Sequence, residues 1–168
     1  MLDHVHTKII MKKSSLLTSL LLLTGCLVLP LTAKEKAPSG FVLLSEQQEA
    51  LTKAGGKKLV VLVVKGMDDA CPNCVTTLEN GEKAIGSGVV KLFARAETIG
   101  DMDSSGFTPA LKARVAKRFS TGASVAFVVF NPDMTTIVAE ASRNELQDDK
   151  DATAEFKKKV QEAKKALK

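Results

Sequence analysis

Short apolar runs alternate along this chain with amphipathic stretches, and that rhythm predicts its elements. Phe41 to Leu44 reads as a short opening strand. Ser45-Glu46-Gln47-Gln48 has the spacing of a capping box and opens a helix that Gly55-Gly56 closes. The run Leu59 to Val64 is rich in β-branched residues and lacks polar alternation, the pattern of a strand buried on both faces. Val75 to Ile85 predicts a helix with Val75, Leu78 and Ile85 near one face and Gly81 as a weak point. Val89 to Ala96 reads as the next strand. Thr108-Pro109 forms an N-cap and first-turn pair for a helix that aligns Leu111, Val115 and Phe119. Val125 to Phe130 is a second buried strand, Asn131-Pro132-Asp133 a turn, and Thr135 to Ala141 the returning arm of a hairpin. Ala152 to Leu167 carries Phe156, Val160, Ala163 and Leu167 in one stripe, with Lys157, Lys158, Lys164, Lys165 and Lys168 largely elsewhere. That is a helix docked on a sheet; its bulky apolar residues are too few for a membrane-surface role of its lysines to be expected. The predicted order is β-α-β-α-β-α-β-β-α, an α/β fold with a sheet flanked by helices on both faces.

The first 33 residues follow a different pattern. Met11-Lys12-Lys13 and the apolar SSLLTSLLLL behind it are a basic segment leading into the hydrophobic core of an export signal, with Met11 a candidate start. Two cleavage readings compete. Leu23-Thr24-Gly25-Cys26 resembles a bacterial lipobox, which makes Cys26 a lipidation candidate; Leu31-Thr32-Ala33 offers an ordinary signal-peptidase site. The run Leu16 to Leu23 is too short to span a bilayer by itself. Residues 34–40 read as a tether and 41–168 as one domain. Each reading places the domain outside the cytoplasm, in the periplasm or on a lipid anchor, where disulfides form and persist.

Composition changes the picture little. Of 168 residues, 45% are hydrophobic and 26% charged, as in a globular domain, and with seven Phe, no Tyr and no Trp the core must be built from Val, Leu, Ala and Ile. The net charge of +5 falls to +3 past residue 33, because Lys8, Lys12, Lys13 and Asp3 precede that point. Nucleic-acid binding calls for a basic face interleaved with aromatics, and none is visible. His4 and His6 are the two histidines and both precede the export signal, so a four-ligand zinc site is not expected. Asp101, Asp103, Ser105 and Gly106 have the opening of a calcium loop, but its twelfth position is Lys112 rather than Glu. Met67 and Met102 are too few soft ligands to suggest heme or copper delivery.

The candidate chemistry lies in CPNC. Cys71 before Pro72 is placed as an N-cap, with Pro72 at the first helical position, where its missing N–H costs nothing. A sulfur at that point faces unpaired amides and the positive end of the helix dipole, which favour thiolate, the attacking form in disulfide exchange. Cys74, one turn on past Asn73, is positioned to resolve a mixed disulfide. The competing readings are a structural Cys71–Cys74 disulfide, whose tiny loop adds little stability, and a pair of inert buried thiols.

The element order, with CPNC following LVVLVV, resembles the thioredoxin superfamily over roughly Phe41 to Leu167. The resemblance implies a thioredoxin-like central mixed sheet and a thiol–disulfide oxidoreductase with no cofactor beyond the redox-active pair. It implies Cys71 as nucleophile and Cys74 as resolving thiol, with envelope protein thiols or disulfides and a redox partner as its partners. Three positions depart from the family. Lys65 stands where thioredoxins carry a buried Asp, Ala70 where a tryptophan usually precedes the pair, and Val125 where the cis-proline is expected. Asp68 and Asp69 are candidate substitutes for the missing carboxylate, although as solvated loop acids they would discourage a thiolate. A non-catalytic binding module of the same fold is the rival reading.

Overall fold

A computed structural model describes residues 36–66, 71–96, 109, 112–115 and 125–168. Its centre is a five-stranded mixed sheet of β1 (Val42–Leu43), β2 (Val60–Lys65), β3 (Val90–Arg95), β4 (Val125–Phe130) and β5 (Ile137–Ser142). The strands lie in the order β1-β3-β2-β4-β5. β1 and β2 both run parallel to β3, whereas β4 is antiparallel to β2 and β5 to β4. Around the sheet are α1 (Gln47–Ala54), α2 (Pro72–Ile85), α3 (Arg143–Gln147) and α4 (Lys150–Ala166); residues 112–115 are also helical. The described residues belong to one compact unit, Glu35–Lys168, and residues 1–35 lie outside them.

Strand alternation splits the core in two. On one face Val61, Val63, Phe93, Val125, Phe127 and Val129 pack with Cys74, Ala84 and Ile85 of α2, Leu146 of α3, and Phe156 and Val160 of α4. On the other, Val60, Leu62, Val64, Leu92, Val128 and Phe130 pack with Val115 and the partly buried Ala50, Leu51 and Ala54 of α1. Both faces are thus covered, which is why β2 and β4 read as unbroken apolar runs. Two edge-to-face aromatic pairs, Phe41–Phe93 and Phe127–Phe156, each have ring centroids 6.4 Å apart.

Several boundaries differ from the sequence expectation, each for a physical reason. The capping box at Ser45–Gln48 does not form. Leu44–Glu46 wind as a 3₁₀ turn that buries Leu44, so Ser45 cannot take the extended N-cap conformation, and α1 begins at Gln47 without a side-chain cap. A capping box does occur at a place the pattern did not flag: the Glu145 carboxylate accepts from the Ser142 amide at 2.7 Å and from its hydroxyl at 2.6 Å, opening α3. Ser142→Ala is expected to cost about 1 kcal/mol, read as a lower urea midpoint at unchanged slope.

Gly55 closes α1 in the left-handed conformation, φ 60°, as its place after Ala54 predicts. The hairpin between β4 and β5 is tightened by Asn131 and Asp133, whose side chains accept from the Thr136 and Thr135 amides at 2.9 and 3.0 Å. Behind α2, the Lys164 ammonium donates to the carbonyls of Ile85 and Ser87, countering the negative end of that helix. Burial pushes the same group below the usual lysine range.

Candidate functional site

β2 ends at Lys65, and α2 starts at Pro72 with Cys71 as its N-cap, φ −70° and ψ 106°. The extended backbone at Cys71 and the fixed φ of Pro72 make that corner a property of local sequence. The Cys71 carbonyl accepts from the Cys74 amide at 3.0 Å and from the Val75 amide at 3.4 Å, which closes the first turn. No acidic residue lies in that turn, so no side chain of it opposes negative charge at the N-terminus of α2. The Cys71 side chain makes no capping hydrogen bond with the first-turn amides.

The two cysteines have unequal surroundings. Cys71 is half-buried, whereas Cys74 is 1% exposed and belongs to the core beneath α2. Pro72 and Asn73, between them, are exposed. The rise and radius of an α-helix put Cα atoms three positions apart at about 5 Å, inside the roughly 4.4–6.8 Å Cα separation that a disulfide accepts. A substrate sulfur can therefore reach Cys71 from solvent, and Cys74 can reach Cys71 from inside.

The inner face of α2 differs from the expected one. Cys74, Thr77, Gly81, Ala84 and Ile85 point inward, while Val75 is 50% exposed beside the cysteine corner. The helical period is the same, but the register is set by Cys74; small and polar residues at 77 and 81 concealed it. Thr77 is satisfied by donating to the Asn73 carbonyl at 2.7 Å, and Asn80 ties α2 to α3 by donating to the Leu146 carbonyl at 3.0 Å.

Lys65 and Val125 are brought together. They are direct partners across β2 and β4, and on its other side Lys65 pairs with Arg95 of β3. Alternation along each strand puts positions 65, 95 and 125 on the face covered by α2, the face that also receives Cys74. Val125 is fully buried, while Lys65 and Arg95 are partly buried. One row across the end of the sheet therefore carries two cations, Lys65 at the end of the strand that leads into the cysteine loop and Arg95 on the strand beside it. Arg95 was not singled out from sequence, since its partnership with Lys65 exists only once β2 and β3 are in register.

The cysteine loop itself, with Met67, Asp68, Asp69 and Ala70, lies outside the described residues, as do Met102, the Asp101–Asp103 loop, Cys26 and the peptide bond preceding Val125. Among the described residues no three His, Cys, Asp or Glu side chains are grouped to hold a metal ion, and no helix is long and apolar enough to cross a membrane. No protein-family model matches the chain, and no curated protein or solved structure does.

Proposed function

We propose that this chain is an exported, thioredoxin-like thiol–disulfide oxidoreductase acting on protein disulfides of a bacterial envelope through Cys71 and Cys74. The observation that carries the reading is the cysteine corner: a half-buried sulfur at the N-cap of a fourteen-residue helix, with a second, buried sulfur one turn on. Further support comes from the sheet, in which three parallel strands continue into an antiparallel hairpin with helices on both faces. In the reducing direction the Cys71 thiolate attacks one sulfur of a substrate disulfide and expels the other as thiolate. The Cys74 thiolate then attacks the Cys71 sulfur, releasing the second substrate thiol and leaving a Cys71–Cys74 disulfide. Two electrons pass to the substrate, and the reverse sequence oxidises a dithiol. Lys65 and Arg95 lie at the same end of the sheet as the cysteine loop, and neither can relay protons as a carboxylate does. The exposed Val75 offers an apolar contact for an extended substrate segment.

A second reading has its own support. Cys74 is nearly inaccessible, and Val125 occupies the place opposite Lys65 where the family's substrate-binding proline is expected. Both suit a binding module with a structural disulfide. A glutathione redox titration of the full chain, followed by thiol trapping, separates the two. A midpoint between roughly −120 and −270 mV supports exchange chemistry, and a pair still oxidised below about −300 mV supports the structural disulfide.

A further inference from the structure

The end of the domain remote from the cysteines has its own chemistry. Because β1, β2 and β3 are parallel, their N-terminal ends share one pole of the sheet, where the Val90 amide donates to the Leu59 carbonyl at 2.9 Å. The C-terminal ends of α2 and α4 meet there through Lys164 and the Ile85 and Ser87 carbonyls. Between them is a cleft of about 590 Å³ lined by Lys57, Lys58, Lys164, Lys165 and Lys168, with no Asp or Glu among its lining residues. Lys164 is committed to the carbonyls, and the other four lysines are exposed. Leu167, 39% exposed, sits among them. At 1.5 Å per residue the length of α2 puts roughly 20 Å between this pole and Cys71.

The chain also arrives at this pole. Residues 36–40 lead to Phe41 and so into the N-terminal end of β1, which lies two strand spacings, about 10 Å, from β2. Upstream in the sequence are the apolar run Leu16–Leu23 and Cys26. The ten residues from Cys26 to Lys36 can span at most about 35 Å. A lipid at Cys26 would therefore lie within that reach of Lys36, on the side of the domain by which the chain enters β1.

We propose that this lysine pole seats on the phosphate headgroups of an anionic membrane, leaving the cysteine corner directed away from the lipid. The contact is electrostatic, since Phe156 and Val160 of the α4 stripe are buried in the core and the single exposed Leu167 is too little apolar surface to insert. Each lysine near an anionic surface contributes about a fivefold gain in association at moderate salt. The proposal rests on the anchored reading of the N-terminus but not on the dithiol reading: a pair locked as a structural disulfide would leave it unchanged.

The test is lysine acylation of the full chain, read by mass spectrometry on nanodiscs of phosphatidylcholine alone or with roughly one third phosphatidylglycerol. On the anionic discs Lys57, Lys58, Lys165 and Lys168 are expected to react at least about fivefold more slowly than on neutral discs, and protection should vanish near 1 M salt, where the screening length is about 3 Å. Lys150, at the other end of α4, should react equally on both. Lys165→Gln with Lys168→Gln, both exposed and outside the core, should release Lys57 and Lys58 from protection. Equal reactivity on the two discs, or protection that salt does not remove, would overturn the proposal. Protection by soluble polyphosphate with none on anionic discs would also overturn it and give the cleft to a soluble polyanion.

Discussion

Cys71→Ala is expected to reduce thiol–disulfide exchange to the uncatalysed background, whereas Cys74→Ala should still attack disulfides and accumulate as mixed disulfides with envelope proteins. The asymmetry follows from burial. Cys71 is the half-buried residue at the helix N-cap, and Cys74, one turn on, is 1% exposed and shielded from an external disulfide. Without Cys74 nothing inside the protein displaces the bound substrate, so the mixed disulfide persists until an external thiol cleaves it. The measurement is non-reducing electrophoresis of both variants after acid quenching in the native compartment. Equal trapping by both variants, or by neither, would count against the assigned roles. Absence of trapping by Cys74→Ala, together with a midpoint below about −300 mV in the wild type, would leave the structural-disulfide reading in its place.

Gly81→Ala is expected to lower stability by about 3 kcal/mol, the upper part of the range for overpacking a core. In an exposed helix the same change would stabilise by about 1 kcal/mol. Here the sign is reversed by tertiary contact. A Cβ at position 81 would stand 2.2, 2.3 and 2.7 Å from three carbons of the Phe127 ring. Phe127 cannot withdraw freely: it is fully buried in β4 and packed edge-on against Phe156. Thermal melting followed by circular dichroism should show a fall of roughly 10 °C for a domain of this size. Phe127→Leu should relieve the clash, so the double variant is expected to be more stable than the sum of the single effects by about 1 kcal/mol or more. A melting temperature equal to or above that of the wild type in Gly81→Ala alone would mean that the ring yields without cost.

These two residues mark the limits of what could be read along the chain. Gly81 looks like a flaw in a helix, because its neighbour Phe127 lies 46 positions away and is met only when α2 packs on β4. The capping residue Ser142 has no loop before it to announce a helix, because it closes β5 and opens α3 at the same point. Ser45 has the spacing of a cap but does not serve as one, because the burial of Leu44 that excludes it is a tertiary fact. Val75 shares a face with Leu78 and Ile85 in the apolar pattern yet is half exposed, because the pattern does not say that a cysteine and a threonine hold the inner register.

By itself the sequence determined the features that depend on near neighbours. The strands β2 and β4 follow from unbroken β-branched runs, the corner at Cys71 from the fixed φ of Pro72, and the end of α1 from Gly55. The spacing of the cysteines, and with it the candidate chemistry, is likewise local. Tertiary structure alone decided what depends on register and packing. It set Lys65 between Val125 and Arg95, hid Cys74 while leaving Cys71 accessible, and gathered lysines from positions 57 to 168 around one pole. The physical reason is the same in each case: local preferences act over a few residues, whereas the partner of a strand or the neighbour of a ring is chosen by the whole folded chain.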